Sequence, residues 1–184
     1  MKRRILCLLT FMSVLCTMSA QLSANRGQRN NSTVNEPDVF TVTYATSDDG
    51  FLNVRTAPSN SGAIIEKLWM QSHGLGNGVL LEKGNKWSKV SVGTVTGWVY
   101  NKYLGIQTWY DGTGSTILVA ALDVTPIYGE NYRGEGDLPI FTTVKKNTIL
   151  ADQFDEIEGY YILKTGHDYL FIKKSDAVVR NKNN

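Results

Sequence analysis

The sequence predicts an all-β fold from residue 40 onward, and three observations carry that expectation. β-Branched and aromatic residues recur in short runs whose side chains alternate between apolar and polar. Clusters of Gly, Asn, Asp, Ser and Pro punctuate the runs at close intervals. No stretch beyond the N-terminus sustains the 3.6-residue period of an amphipathic helix. Short strands with frequent turns mean a small barrel or sandwich.

Ahead of the strands, Lys2, Arg3 and Arg4 precede an apolar run over 5–15 and small residues at Ser19 and Ala20, the pattern of a secretory signal peptide spanning 1–20. The run is shorter than the roughly twenty residues needed to cross a ~30 Å hydrocarbon core, and no later run is longer, so no transmembrane segment is expected. The expected location is periplasmic, secreted or at the cell surface. Cys16 leaves a lipid-anchored alternative open, although Leu15 stands where a small residue is usual. Cys7 and Cys16 are the two cysteines, so a chain cut after Ala20 has no thiol for a disulfide, a metal or nucleophilic attack. That cut also removes three of the 19 basic residues and none of the 17 acidic ones. The near-neutral remainder gives no electrostatic reason to bind nucleic acid or an anionic membrane.

Residues 21–38 are mostly Asn, Ser, Gln and Arg with isolated aliphatics, too few to offset chain entropy by burial, and read as a flexible linker. Alternation then begins: Phe40, Val42 and Tyr44 face one way, Thr41, Thr43 and Ala45 the other. Further strands are predicted at 51–55, 64–70, 78–82, 86–92 and 96–100, separated by Asp48-Asp49-Gly50, the 58–62 and 74–78 runs, Lys83-Gly84-Asn85 and Gly93. A second set is predicted at 116–121, 125–128, 140–144, 148–151, 160–164 and 169–173. The expected organisation is therefore one β domain over 40–105 and a second over 106–184, whose element order parallels the first as a diverged copy would. Units this small bury only about 60% of their unfolded surface, so the two are expected to share an interface.

Four blocks in the first domain carry a family resemblance: Leu52-Asn53-Val54-Arg55-Thr56-Ala57-Pro58-Ser59, Ile64-Ile65-Glu66-Lys67-Leu68, Lys86-Trp87-Ser88-Lys89-Val90, and Gly97-Trp98-Val99-Tyr100 with Tyr103-Leu104. In this order they resemble the bacterial SH3-like domains of exported cell-wall proteins. The glycine-rich 74–78 run departs from that family's usual turn. The resemblance implies an SH3-like β-barrel for the first domain and binding of a short peptide or glycan of the wall; with the parallel element order of the second domain, the expectation is two small SH3-like β-barrels in tandem after the signal peptide.

Chemistry offers little competition. Relatives of this kind often accompany a cysteine peptidase, which needs a thiolate activated by histidine. Here the thiols lie in the signal segment, and the histidines are His73 and His167, both read as loop residues. Two histidines in separate domains are too few for a zinc site. Asp152, Asp155, Glu156 and Glu158 cluster, but their spacing matches no calcium loop and reads as a solvated turn. The glycines of 74–78 lack the helix and Lys-Ser/Thr of a phosphate loop and read as a flexible hairpin. Lys173, Lys174, Arg180 and Lys182 read as charges guarding an edge strand.

What remains is aromatic. Some of Tyr44, Trp69, Trp87, Trp98, Tyr100 and Tyr103 must be core, because a barrel this small has little else of that size to fill it, and two or three exposed on one face could stack on sugar rings or peptide planes. Tyr44, Asn53, Arg55, Trp87, Trp98 and Tyr103 are the candidate ligand-binding residues, with no cofactor, metal or catalytic group expected. The expected function is non-catalytic binding of a cell-envelope ligand, a peptidoglycan peptide or glycan. The alternatives are a protein–protein adaptor in an envelope complex and an enzyme using the acidic cluster.

Overall fold

The computed structural model describes residues 38–71, 76–130, 136–165 and 167–182. The expected signal peptide and all of the linker except Asp38 lie outside these residues. The described chain is all-β and falls within one compact unit, Pro37–Asn184.

The first half contains β1 (Thr41–Ala45), β2 (Phe51–Arg55), β3 (Ile64–Trp69), β4 (Gly78–Glu82), β5 (Trp87–Val92) and β6 (Val95–Tyr100), then a 3-10 turn at Asn101–Tyr103 and β7 (Leu104–Thr108). They form one seven-stranded sheet in the order β3-β2-β6-β5-β4-β1-β7. The second half contains β8 (Thr116–Ala120), β9 (Val124–Tyr128), β10 (Ile140–Lys145), β11 (Ile149–Ala151), β12 (Asp155–Ile157), β13 (Tyr160–Thr165), β14 (Asp168–Lys173) and β15 (Ala177–Asn181). Here the order is β10-β9-β14-β13-β12 in one sheet and β11-β8-β15 in another. All three sheets are antiparallel, and none closes on itself among the described residues.

The pairings of the two halves follow one scheme. β1 pairs with β7 and β4, as β8 pairs with β15 and β11. β2 pairs with β3 and β6, as β9 pairs with β10 and β14. β5 lies between β4 and β6, as β13 lies between β12 and β14. The β2–β3 hairpin slips register between Val54 and Arg55, and the β9–β10 hairpin slips where Tyr128 and Ile127 face Ile140 and Thr142.

Two buried clusters hold these sheets. Ala45, Leu52, Val54, Leu68, Val90 and Val99 form the smaller, inside the first half. The larger joins Leu118, Ala120, Ile127, Leu150, Leu163, Leu170 and Ile172 of the second half to Phe40, Val42 and Trp109. β1 thus serves two cores, Ala45 on one face and Val42 on the other, as its alternation requires. Trp109 is 8% exposed, stacks on Phe40 with ring centroids 5.6 Å apart, and donates from Nε1 to the Lys164 carbonyl at 2.8 Å. The backbone repeats the link: Phe40 N–H donates to Ile149 O at 2.8 Å, and Asp152 N–H to Trp109 O at 2.9 Å.

The anticipated strands are present with ends shifted by a residue or so. β7, β12 and β15 lie outside the expectation. β12 runs through the acidic stretch read as a solvated turn, and β15 occupies the basic segment read as an edge guard, pairing with β8 from Ala177 to Asn181.

Candidate binding face

Alternation on β5 and β6 builds the face. Ser88, Val90, Gly97 and Val99 are buried, so Trp87, Lys89, Trp98 and Tyr100 project from the other side of the sheet. Gly97 is what lets β2 cross closely: a Cβ there would stand 2.6 Å from Val54 Cγ1 and 2.7 Å from Arg55 O. Register sets Trp87 opposite Tyr100, Lys89 opposite Trp98, and Trp98 opposite Arg55 on β2. On β2, Leu52 and Val54 enter the core, which leaves Phe51, Asn53 and Arg55 on the outer side.

Of the six candidate residues, Trp87, Trp98, Asn53 and Arg55 come together on this face, all half-buried. Tyr103 joins through Tyr100, whose ring lies 5.3 Å from Trp87 and 6.2 Å from Tyr103. The 3-10 turn carrying Tyr103 is pinned by Asn101, whose side chain donates to Gly84 O at 2.6 Å and whose N–H donates to Lys86 O at 3.0 Å. Tyr44 stands apart on β1, its ring lying over Gly105, where no Cβ would fit. Arg55 has a structural task as well, because its Nη1 donates to Gly62 O at 2.8 Å and ties down the β2–β3 loop.

Charge completes the face. Among the described residues no ion pair includes Arg55, Lys67, Lys86, Lys89 or Lys102. The ammonium groups of three of them lie over rings: Lys67 at 3.9 Å from the Phe51 centroid, Lys102 at 5.0 Å from Tyr103 and Lys86 at 5.9 Å from Tyr100. A hydrogen bond to Tyr103 holds the exposed Lys102 ammonium above its ordinary pKa. Rings that offer flat apolar surface beside free cations suit a ligand with sugar or peptide planes and carboxylates.

No family model matches the chain, and no curated protein matches it. Among solved structures the chain is similar to one described as the structure of NlpC1 from Trichomonas vaginalis, with a TM-score of 0.33 and 14% identity over 79% of this chain and 47% of that one. The chain therefore spans about half the length of that protein.

The remaining candidates divide. Asp152 leaves the acidic cluster and is buried, accepting from the N–H groups of Asp111 at 3.1 Å, Gly112 at 2.9 Å and Gly114 at 3.1 Å and from Lys182 Nζ at 3.1 Å. Burial alone would push this carboxyl up; the Lys182 hydrogen bond, the amide donors and the Lys182 charge outweigh it and hold the carboxyl below its ordinary value. Its lone pairs are engaged in a structural lock. Asp155, Glu156 and Glu158 are exposed, and Glu156 pairs with Lys174 at 2.7 Å. His167 is exposed on the β13–β14 turn, and His73 lies outside the described residues.

The 74–78 run behaves differently from a flexible hairpin at its described end. A Cβ on Gly76 would collide with the Thr43 backbone, and one on Gly78 would stand 2.6 Å from Leu68 Cδ1, so these glycines let the chain lie against β1 and the core. A groove of about 210 Å³ runs between β4 and β10, spanned by the Asp38–Lys145 pair at 3.2 Å, and no candidate residue lines it. Among the described residues there is no group of three or more His, Cys, Asp or Glu that could hold a metal, and no helix long and apolar enough to cross a membrane.

Proposed function

We propose that this chain is an exported, non-catalytic protein that binds a cell-envelope ligand, a peptidoglycan peptide or glycan, through the open face of its first half. The observation that carries the reading is the row Trp87, Tyr100 and Tyr103 beside Trp98, with cations that are in no ion pair among the described residues. Support for two SH3-like units comes from the shared pairing scheme and from the 3-10 turn between β6 and β7. Support for a non-catalytic role comes from the dispersal of the acidic cluster, with Asp152 committed to amide donors and Lys182.

The test is retention on purified peptidoglycan. Wild type is retained, and Trp87→Ala with Trp98→Ala lowers retention about tenfold, the equivalent of ~1.4 kcal/mol, in a protein whose circular dichroism is unchanged. No retention of wild type, or equal retention of the variant, overturns the reading.

A second reading, an adaptor for an envelope protein, is favoured by β3. This edge strand and the residue after it expose Ile64, Ile65, Trp69 and Met70. A photo-crosslinker at Ile65 that captures one stoichiometric protein from envelope extracts supports it. Capture of nothing, or of an indiscriminate set, removes it.

A further inference from the structure

The shared pairing scheme allows the two halves to be compared residue by residue on their outer faces. Trp98 is the residue of β6 that meets β2, at Arg55; Phe171 is the residue of β14 that meets β9, at Tyr128. Trp98 faces Lys89 across β5, and Phe171 faces Ile162 across β13. Trp87 faces Tyr100, and Tyr160 faces Lys173. Tyr160 and Phe171 therefore stand where Trp87 and Trp98 stand in the first half; the partners there include the cations Arg55 and Lys89, and here the cation Lys173.

These second-half rings do not serve the core. On β13 and β14 the core is supplied by Leu163, Leu170 and Ile172, with Tyr161 packed against it; Tyr128, Tyr160, Tyr169 and Phe171 belong to neither buried cluster and are half-exposed. The Tyr160 and Phe171 rings lie 6.2 Å apart, the Tyr169 and Phe171 rings 6.4 Å apart, and Lys173 Nζ lies 5.3 Å from the Tyr128 centroid. Tyr128, by its charge interaction and hydrogen bond, and then Tyr160 hold the Lys173 ammonium above its ordinary pKa.

Charge names the occupant. Lys145, Lys146, Lys174 and Lys182 are each in an ion pair. Among the described lysines of this half, the two outside those pairs are Lys164 and Lys173, and register puts both on the aromatic side, Lys164 opposite Tyr169 and Lys173 opposite Tyr160. Register places one carboxylate on this side, Asp155 opposite Ile162, and the charge of Asp176 also acts on Lys173. Rings, tyrosine hydroxyls and two ammonium groups outside those ion pairs present stacking, hydrogen bonding and positive charge together, the combination that recognises sugar rings carrying carboxylates.

We propose that the outer face of the five-stranded sheet, centred on Tyr128, Tyr160, Tyr169 and Phe171 and flanked by Lys164 and Lys173, is a second binding site, and that its ligand is a carboxylate-bearing glycan strand. The inference rests on the reading of the first face as a binding surface. Two such faces on one chain engage a polymer at two points, so each raises the apparent affinity of the other without new contacts.

The experiment measures retention of the full chain on immobilised polygalacturonate, with immobilised dextran as the uncharged control. It compares wild type, Trp87→Ser with Trp98→Ser, Tyr160→Ser with Phe171→Ser, and all four together. The expected result is retention of wild type on polygalacturonate but not dextran, falling with salt, a loss of about tenfold or more for each pair and no retention for the four. Loss confined to the Trp87/Trp98 variant overturns this second site and leaves the first-face reading standing. Loss confined to the Tyr160/Phe171 variant supports the second site and overturns two-point engagement of this polymer. No retention of wild type on polygalacturonate overturns the inference, while retention on peptidoglycan still judges the first face by itself. Tyr160→Phe with Phe171→Tyr preserves the rings and is expected to bind like wild type. If that conservative variant and the serine variant lose binding alike, while both melt cooperatively, ring stacking is excluded and the proposal fails.

Discussion

β4 and the pair β11–β12 hold the same place in the pairing order of their halves, and they fill it differently. β4 runs unbroken from Gly78 to Glu82 with β1 on one side and β5 on the other. In the second half the strand stops at Ala151, Asp152 turns its carboxylate to the 111–114 loop, and pairing resumes at Asp155. The interruption splits the second half into two sheets. It also places β11 where it bridges Val39 on one side and Trp109, through Ala151, on the other. The lesson is that the second half gives up sheet continuity at this point and gains a hold on both ends of the first.

Breaking that hold is expected to have the largest effect. Trp109→Ala removes a buried ring from the Phe40 stack and leaves the Lys164 carbonyl without its donor, and should cost about 3–5 kcal/mol in urea unfolding. A cost below about 1 kcal/mol would mean that the connecting segment merely rests on the second half.

Asp152→Asn comes next, at about 1–3 kcal/mol, because the amide keeps one acceptor but gives up the charge that faces Lys182. The same lock sets a pH dependence. The folded carboxyl lies below its ordinary value, so its stabilisation is complete above the unfolded pKa of about 4 and is lost as pH falls through the lowered folded value. The wild-type melting temperature should therefore fall more steeply over that acid range than that of Asp152→Asn. Parallel curves would show that Lys182 and the loop do not depend on the charge.

Glu82→Ala on the unbroken strand supplies the contrast. Glu82 is exposed and takes part in no ion pair among the described residues, so its removal should stay within about 0.5 kcal/mol. A larger loss would mean that the continuous strand also depends on a carboxylate.

The strands that alternate were legible because one face of each is buried, as Leu52 and Val54 on β2 or Leu170 and Ile172 on β14 are. β12 and β15 were not, since Asp155, Glu156 and Ile157 are all exposed and β15 buries Ala177 alone. Such strands are made by their backbone partners, which periodicity does not report. Alternation likewise showed that Phe40 and Val42 share a face, but not that the second half covers it. The sequence left Trp87 and Trp98 open between core and surface, and the burial of Ser88, Val90, Gly97 and Val99 decided it. The part of Tyr100 in joining Trp87 to Tyr103, and of Arg55 in holding Gly62, needed contacts between segments remote along the chain.

The two-sided β1 strand sets a timetable for the chain as it is made. Ala45 finds the buried members of its cluster by the time Val99 has emerged, and Leu104 follows directly. Phe40 and Val42 on the opposite face wait for Leu118 through Ile172, and for Ala177 on the strand that closes against β8. Through that interval the nascent first half carries an uncovered apolar stripe, and a chain halted before Ala177 would be the form most prone to self-association.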